Sequence, residues 1–297
     1  MESVLKTTNI VKKYGDKTVL NNINMHINKG DIYGFIGKNG AGKTTFMRCV
    51  LSLTTLNQGE VNFFEDKSIE EVGLKIGSLI EAPGLYKNAT AYENLLRFSI
   101  LYEADQSKIN EILKLVDLAN TGKKKVKDFS LGMRQRMGIA IALLGDPEFL
   151  LLDEPINGLD PEGIKEIRDV IVRLNKEKKI TFLISSHLLD ELSKVVTRYG
   201  IIDNGTLIEE LDAKELKDKC KNKLVIEVND VPKSAKLISK KFAIQDIVEK
   251  QNSIEILSHI EKAAEYNEYL VKEGISVNAI YPNFDSLEEY FMKRIGG

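Results

Sequence analysis

The sequence predicts an α/β fold built around a phosphate-binding loop, and three observations carry that expectation. "DIYGFIGKNGAGKTTF" (31–46) runs from an apolar stretch through glycines into Lys-Thr-Thr. "PEFLLLDEP" (147–155) is a second apolar run, ending in adjacent carboxylates. Amphipathic helical patterns lie between the two, the arrangement of an α/β chain.

Taken in order, "IVKKYGDKTVL" (10–20) reads as an early strand that carries Tyr14. "DIYGFIG" reads as a short buried strand and "TTFMRCVLSL" (44–53) as the helix after it. Between them Gly37, Lys38, Asn39, Gly40, Ala41, Gly42, Lys43 and Thr44, followed by Thr45, fit G-x-x-x-x-G-K-[ST]. Glycines let several backbone N–H groups wrap a phosphate, and a helix N-terminus adds partial positive charge there. Lys43 is then placed for the β- and γ-phosphates of a nucleotide, and the Thr44 hydroxyl for Mg²⁺.

"NATAYENLLRFSILYEA" (88–104) and "QSKINEILKLVDLAN" (106–120) read as two amphipathic helices, the second with Ile109, Ile112, Leu113, Leu115 and Val116 on its apolar face. A helical insert therefore separates the glycine loop from the strand 149–152. At the end of that strand Asp153 can hold Mg²⁺, directly or through water. Glu154 points the other way in regular strand geometry and is free to polarise a water, and Pro155 stops the strand.

With these pieces in hand, the chain resembles an ABC-type ATPase from about residue 4 to residue 211. "FSLGMRQRMGIA" (129–140) is similar to the family signature L-S-G-G-Q: Ser130 and Gly132 keep the serine and second glycine, Leu131 replaces the first glycine, and Met133 the glutamine. "NGLDP" puts Asp160 in the family's aspartate position, "LISSHLLDE" puts His187 in that of its switch histidine, and Tyr14 stands where the family stacks an aromatic on adenine. "IGSLIEAPGLY" (76–86) departs from the pattern, with Glu81 where the family has a glutamine near the metal. That substitution and "SLGM" resemble the branch that exports or expels bacitracin and lantibiotics. The resemblance implies a P-loop fold with an N-terminal antiparallel β subdomain and a helical subdomain at about 85–145. It also implies ATP and Mg²⁺ as ligands, with Thr44, Asp153 and Glu81 around the metal. ATP would lie between two copies, Ser130 acting in trans, and a separate membrane permease would dock near Pro83 to Tyr86. A soluble ATPase of the same type, acting on ribosomes or DNA, is the alternative.

After Leu211 the resemblance thins. Residues 1–212 are expected to form the nucleotide-binding domain and 213–297 a small α+β domain: strand "NKLVIEV", helix "SAKLISKKF", a hairpin at Gln251-Asn252, a helix ended by Gly274, strand "SVNAIYPN", and a last helix capped by Asp285 or Ser286. His259 stands alone and reads as a strand-end residue.

Composition narrows the function classes. The 297 residues carry Lys+Arg 42 against Asp+Glu 44, a net charge of -2 that gives no sign of nucleic-acid binding. Cys49 and Cys220 are too few for a disulfide framework and fit a reduced cytoplasm. "MESVLKTTNI" lacks the pattern of a secretion signal, and no stretch approaches the roughly 18 apolar residues of a membrane span. A cytoplasmic subunit held to the membrane through its permease is the location expected.

Overall fold

A computed structural model describes residues 2–220, 222–284 and 287–295. The chain divides into two compact units, Met1–Ala213 and Lys214–Gly297. The expected cap at Asp285 or Ser286 lies outside the described residues.

The first unit begins with a hairpin of β1 (Ser3–Tyr14) and β2 (Lys17–Asn28). Tyr14 pairs with Lys17, so the turn is two residues long, and Gly15 supplies the positive φ of 56° that so tight a turn requires. β4 (Gln58–Phe63) joins β1 on its other side, making a three-stranded antiparallel sheet.

The second sheet has six strands: β3 (Ile32–Ile36), β5 (Ile76–Leu79), β6 (Phe149–Asp153), β7 (Thr181–Ser186), β8 (Arg198–Asp203) and β9 (Thr206–Asp212). Their order is β5-β6-β7-β3-β8-β9, parallel throughout except at β9. Every residue of β3, β6 and β7 is buried, as strands covered on both faces must be; their cores are apolar, and the polar residues of β6 and β7 stand at the strand ends. Asn204 (φ 44°) and Gly205 (φ 77°) close the one antiparallel hairpin of this sheet.

Parallel strands need crossover connections, and these are the helices α1 (Lys43–Val50), α2 (Ile69–Val72), α6 (Pro161–Lys178) and α7 (Leu189–Leu192). Between β5 and β6 the chain inserts α3 (Ala91–Leu101), α4 (Ile109–Leu115) and α5 (Leu131–Ala142). Thr90 and Glu93 form a capping box that starts α3. α4 is shorter than its sequence pattern suggests, because 106–108 form a tighter 3₁₀ turn with Asp105 as cap. Two arginines hold its carbonyl end: Arg173 of α6 donates to Leu115 O at 3.0 Å and to both Asp117 oxygens at 2.9 Å, and Arg136 of α5 donates to Asp117 O at 3.1 Å. Cations at a helix C-terminus face the negative end of its dipole.

The second unit follows α8 (Ala213–Lys219) with β10 (Asn222–Val228), α9 (Val231–Phe242), β11 (Ile247–Glu249), β12 (Ser253–Ile256), α10 (Ala263–Lys272), β13 (Val277–Phe284) and α11 (Leu287–Ile295). The strands pair antiparallel in the order β11-β12-β10-β13, which with α9 and α10 makes a βαββαβ, ferredoxin-like unit. Leu224, Ile226, Ile238, Ile254, Ile256 and Leu270 pack into its core around Tyr266, whose ring meets Phe242 edge-on at 4.8 Å. His259 sits after β12 at φ 53° and begins a 3₁₀ turn rather than ending the strand.

Among the described residues no helix is long and apolar enough to cross a membrane. Ile226, wholly buried on the central strand β10, offers a direct check of the second unit. Ile226→Ala is expected to cost about 2–5 kcal/mol and lower the calorimetric unfolding temperature; an unchanged transition would contradict this core.

Candidate active site

The glycine loop leaves β3 and enters α1. Its shape explains its glycines: a Cβ on Gly37 would lie 2.6 Å from Ile202 O, and Gly42, at φ 111°, backs against Val19 and Leu20 of β2. Lys38, Asn39 and Gly40 are exposed at the tip, while Ala41 is buried beneath it. Lys43 is the first residue of α1, and its ammonium donates to Gly37 O at 2.7 Å and Lys38 O at 3.3 Å. Thr44 and Thr45 are half-buried in the first helical turn.

Asp153 ends β6 with 7% of its surface exposed, so its charge needs partners. Thr44 Oγ1 donates to one carboxylate oxygen at 2.7 Å, and Ser185 Oγ donates to the other at 2.6 Å. Glu154 turns away by a different route from the alternation expected of a strand. β6 stops at Asp153, two residues before Pro155, and Glu154 takes a left-handed φ of 49°. Its carboxylate lies 3.1 Å from Lys43 Nζ and 2.9 Å from His187 Nδ1. Glu154 N donates to Ser185 Oγ at 2.9 Å, which fixes the turn.

Ser185 therefore contacts both acids, and the sequence reading passed over it. Its signal is present in "LISSHLLDE": a hydroxyl buried in a strand requires a hydrogen-bond partner. The Asp153–Ser185 pairing of β6 with β7 provides one.

A second cluster forms away from the glycine loop. Ser130 caps α5, its hydroxyl accepting from Met133 N at 3.1 Å, and Asp160 caps α6, accepting from Gly163 N at 2.9 Å with Pro161 in the first turn. Both line one cleft of about 510 Å³ with Gly132, Met133 and Gly158, so two helix N-termini open into it. No residue from 37–45 lines that cleft.

Two further predicted residues have partners of their own. Tyr14 is 50% exposed at the hairpin tip, with the Lys12 ammonium 4.8 Å from its ring centre. Glu81 follows β5 at φ 65° and forms an ion pair with Arg48 of α1. Cys49 lies buried in α1, where burial pushes its thiol up to about 11, so it stays protonated and unreactive near neutrality.

A parallel sheet whose strand exits carry a glycine loop, Lys-Thr and a buried aspartate belongs to the P-loop nucleoside triphosphatases. The sequence profile described as "ABC transporter" matches residues 20–157. The chain is 44% identical over 304 residues to the bacitracin transport ATP-binding protein BcrA of Bacillus licheniformis, covering 100% of this chain and 99% of that one. It is 43% identical over 228 residues to the lantibiotic transport ATP-binding protein SrtF of Streptococcus pyogenes, covering 75% and 99% respectively. Among solved structures it is similar to the ATP-binding cassette MJ0796, a dimer in a post-hydrolysis state with ADP and Pi, at TM-score 0.60 and 26% identity, covering 70% of this chain and 98% of that one. The chain belongs to the ATP-binding proteins of ABC transporters and is an ATPase, as its motifs implied.

Removing the Ser185 hydroxyl leaves Glu154 N–H unpaired and releases one side of Asp153. Ser185→Ala is expected to lower ATP turnover about 10- to 100-fold with the fold retained. Steady-state rates checked against circular dichroism decide this, and turnover within twofold of the parent would remove Ser185 from the site.

Proposed function

We propose that residues 1–212 form a nucleotide-binding domain that hydrolyses Mg·ATP as a homodimer and drives a membrane permease exporting a peptide antibiotic. One observation carries the dimer: the cleft holding Ser130, Gly132 and Asp160 is lined by no residue of the glycine loop. Each cluster suits one side of a nucleotide, so the loop 37–45 of one copy completes its site with the Ser130 cleft of another. That the similar cassette MJ0796 is dimeric with ADP and Pi supports a dimer here.

The donor set fits Mg²⁺, since Thr44 and Asp153 offer hard oxygens and Asp153 is buried enough to keep its charge unscreened. When bound, the ion would neutralise the phosphate oxygens. The chain's own residues do the rest. Lys43 and the α1 N-terminus bind the phosphates, and Tyr14 stacks on adenine. Glu154 holds the attacking water and accepts its proton as the bond to the leaving ADP oxygen breaks, releasing ADP and phosphate. His187, with Nδ1 directed to Glu154, presents Nε2 to the γ-phosphate.

Peptide-antibiotic export is supported by the names of the relatives, which transport bacitracin and a lantibiotic. In this reading residues 85–145 are the helical subdomain that meets the permease near Pro83 to Tyr86, at the inner face of the membrane, and 213–297 are an accessory domain.

Lys43→Ala and Glu154→Gln are each expected to lower turnover on the order of 10²- to 10³-fold. The Glu154→Gln chain with Mg·ATP should sediment as a dimer, and from detergent-solubilised membranes it should co-purify with a polytopic permease. Recovery with ribosomes or nucleic acid instead would overturn transport and leave the ATPase.

A further inference from the structure

α1 meets the exits of two neighbouring strands from one face. Thr44 Oγ1 donates to Asp153 at 2.7 Å, at the end of β6. Arg48, four residues on, lies about 40° around the helix and about 6 Å along it, so it follows Thr44 on nearly the same face. Its guanidinium pairs with the Glu81 carboxylate beyond β5. Leu79 pairs with Leu152, so Glu81 and Glu154 each stand two residues past the same rung of the β5–β6 ladder.

That position adds a third carboxylate to the strand exits that already carry Asp153 and Glu154. A lone carboxylate there repels a triphosphate, whereas an uncharged side chain of the same size does not. We propose that Arg48 is a positioning residue that holds and neutralises Glu81, which lets a carboxylate stand beside the triphosphate site without weakening nucleotide binding. The inference rests on the Mg·ATP reading above.

Binding of a fluorescent, non-hydrolysable ATP analogue with Mg²⁺ to the full chain tests it. Arg48→Gln strands the Glu81 charge and is expected to weaken binding about three- to tenfold, less at high salt because both groups are partly exposed. Arg48→Lys keeps the charge and should stay within about twofold of the parent. The double variant Arg48→Gln with Glu81→Gln should recover at least half of the loss on a logarithmic scale, since the stranded charge is gone. A pair that serves only the fold would shift the unfolding temperature of these variants and leave the affinity of the folded protein for the analogue unchanged, and Arg48→Met offers the same comparison should Arg48→Gln fail to fold. Parental binding by Arg48→Gln, or a double variant no better than the single, would overturn the inference. Lys43→Ala in the same assay separates the two layers. If it binds poorly while Arg48→Gln is silent, only the role of Arg48 falls; if it binds like the parent, the Mg·ATP reading falls and takes the inference with it.

Discussion

Five strands leave the same end of one sheet because β5, β6, β7, β3 and β8 pair in parallel, and the position of each chemical group follows from that pairing. β3, β6 and β7 are buried throughout and can carry no unpaired charge, so their charged and phosphate-binding groups are confined to the exits. The glycine loop follows β3, the two acids end β6, Ser185 and His187 end β7, and Glu81 follows β5. A slip of one residue between β6 and β7 would turn Ser185 to the opposite face and separate it from Asp153.

The two adjacent acids acquire different chemistry from their surroundings. Asp153 is held by two hydroxyls, neutral donors that leave its negative charge available to a cation. Glu154 instead faces two basic groups, Lys43 and His187, which set its direction. The left-handed turn at Glu154 makes this separation possible: a continued strand would send its side chain to the opposite face, whereas the turn brings it round to Lys43. The backbone strain of a non-glycine residue in that region, roughly 1 kcal/mol, is offset by the Glu154 N–H bond to Ser185.

The sequence was most legible where chemistry demands fixed spacing. The glycine loop, Asp153 and the ATPase family could be read because a phosphate cradle tolerates few residue types at few positions. The strands and helices of the second unit could be read because Leu224, Ile226 and Val228 alternate and Gly274 stops α10. Its strand order could not, since βαββαβ pairing depends on which apolar faces meet, and a linear pattern holds no record of that. No motif names the partners of Ser185 and Arg48, because each partner lies 31 to 33 residues away. Asp160, in the family's aspartate position, also caps α6 by accepting from Gly163 N.

The two clusters differ in what they are fastened to. Lys43, Asp153, Glu154 and His187 sit on strand exits or at the head of α1. Ser130 and Asp160 instead start α5 and α6, the helices whose Arg136 and Arg173 grip the carbonyl end of α4. Arg136 is 5% exposed and also pairs with Glu166 of α6 at 3.1 Å, so α4, α5 and α6 are joined through partly exposed, charge-assisted bonds. The Ser130 cleft is thereby fastened to the helical insert through α5 and α6, while the acids are held by their own bonds to Thr44, Ser185, Lys43 and His187 at the sheet's end.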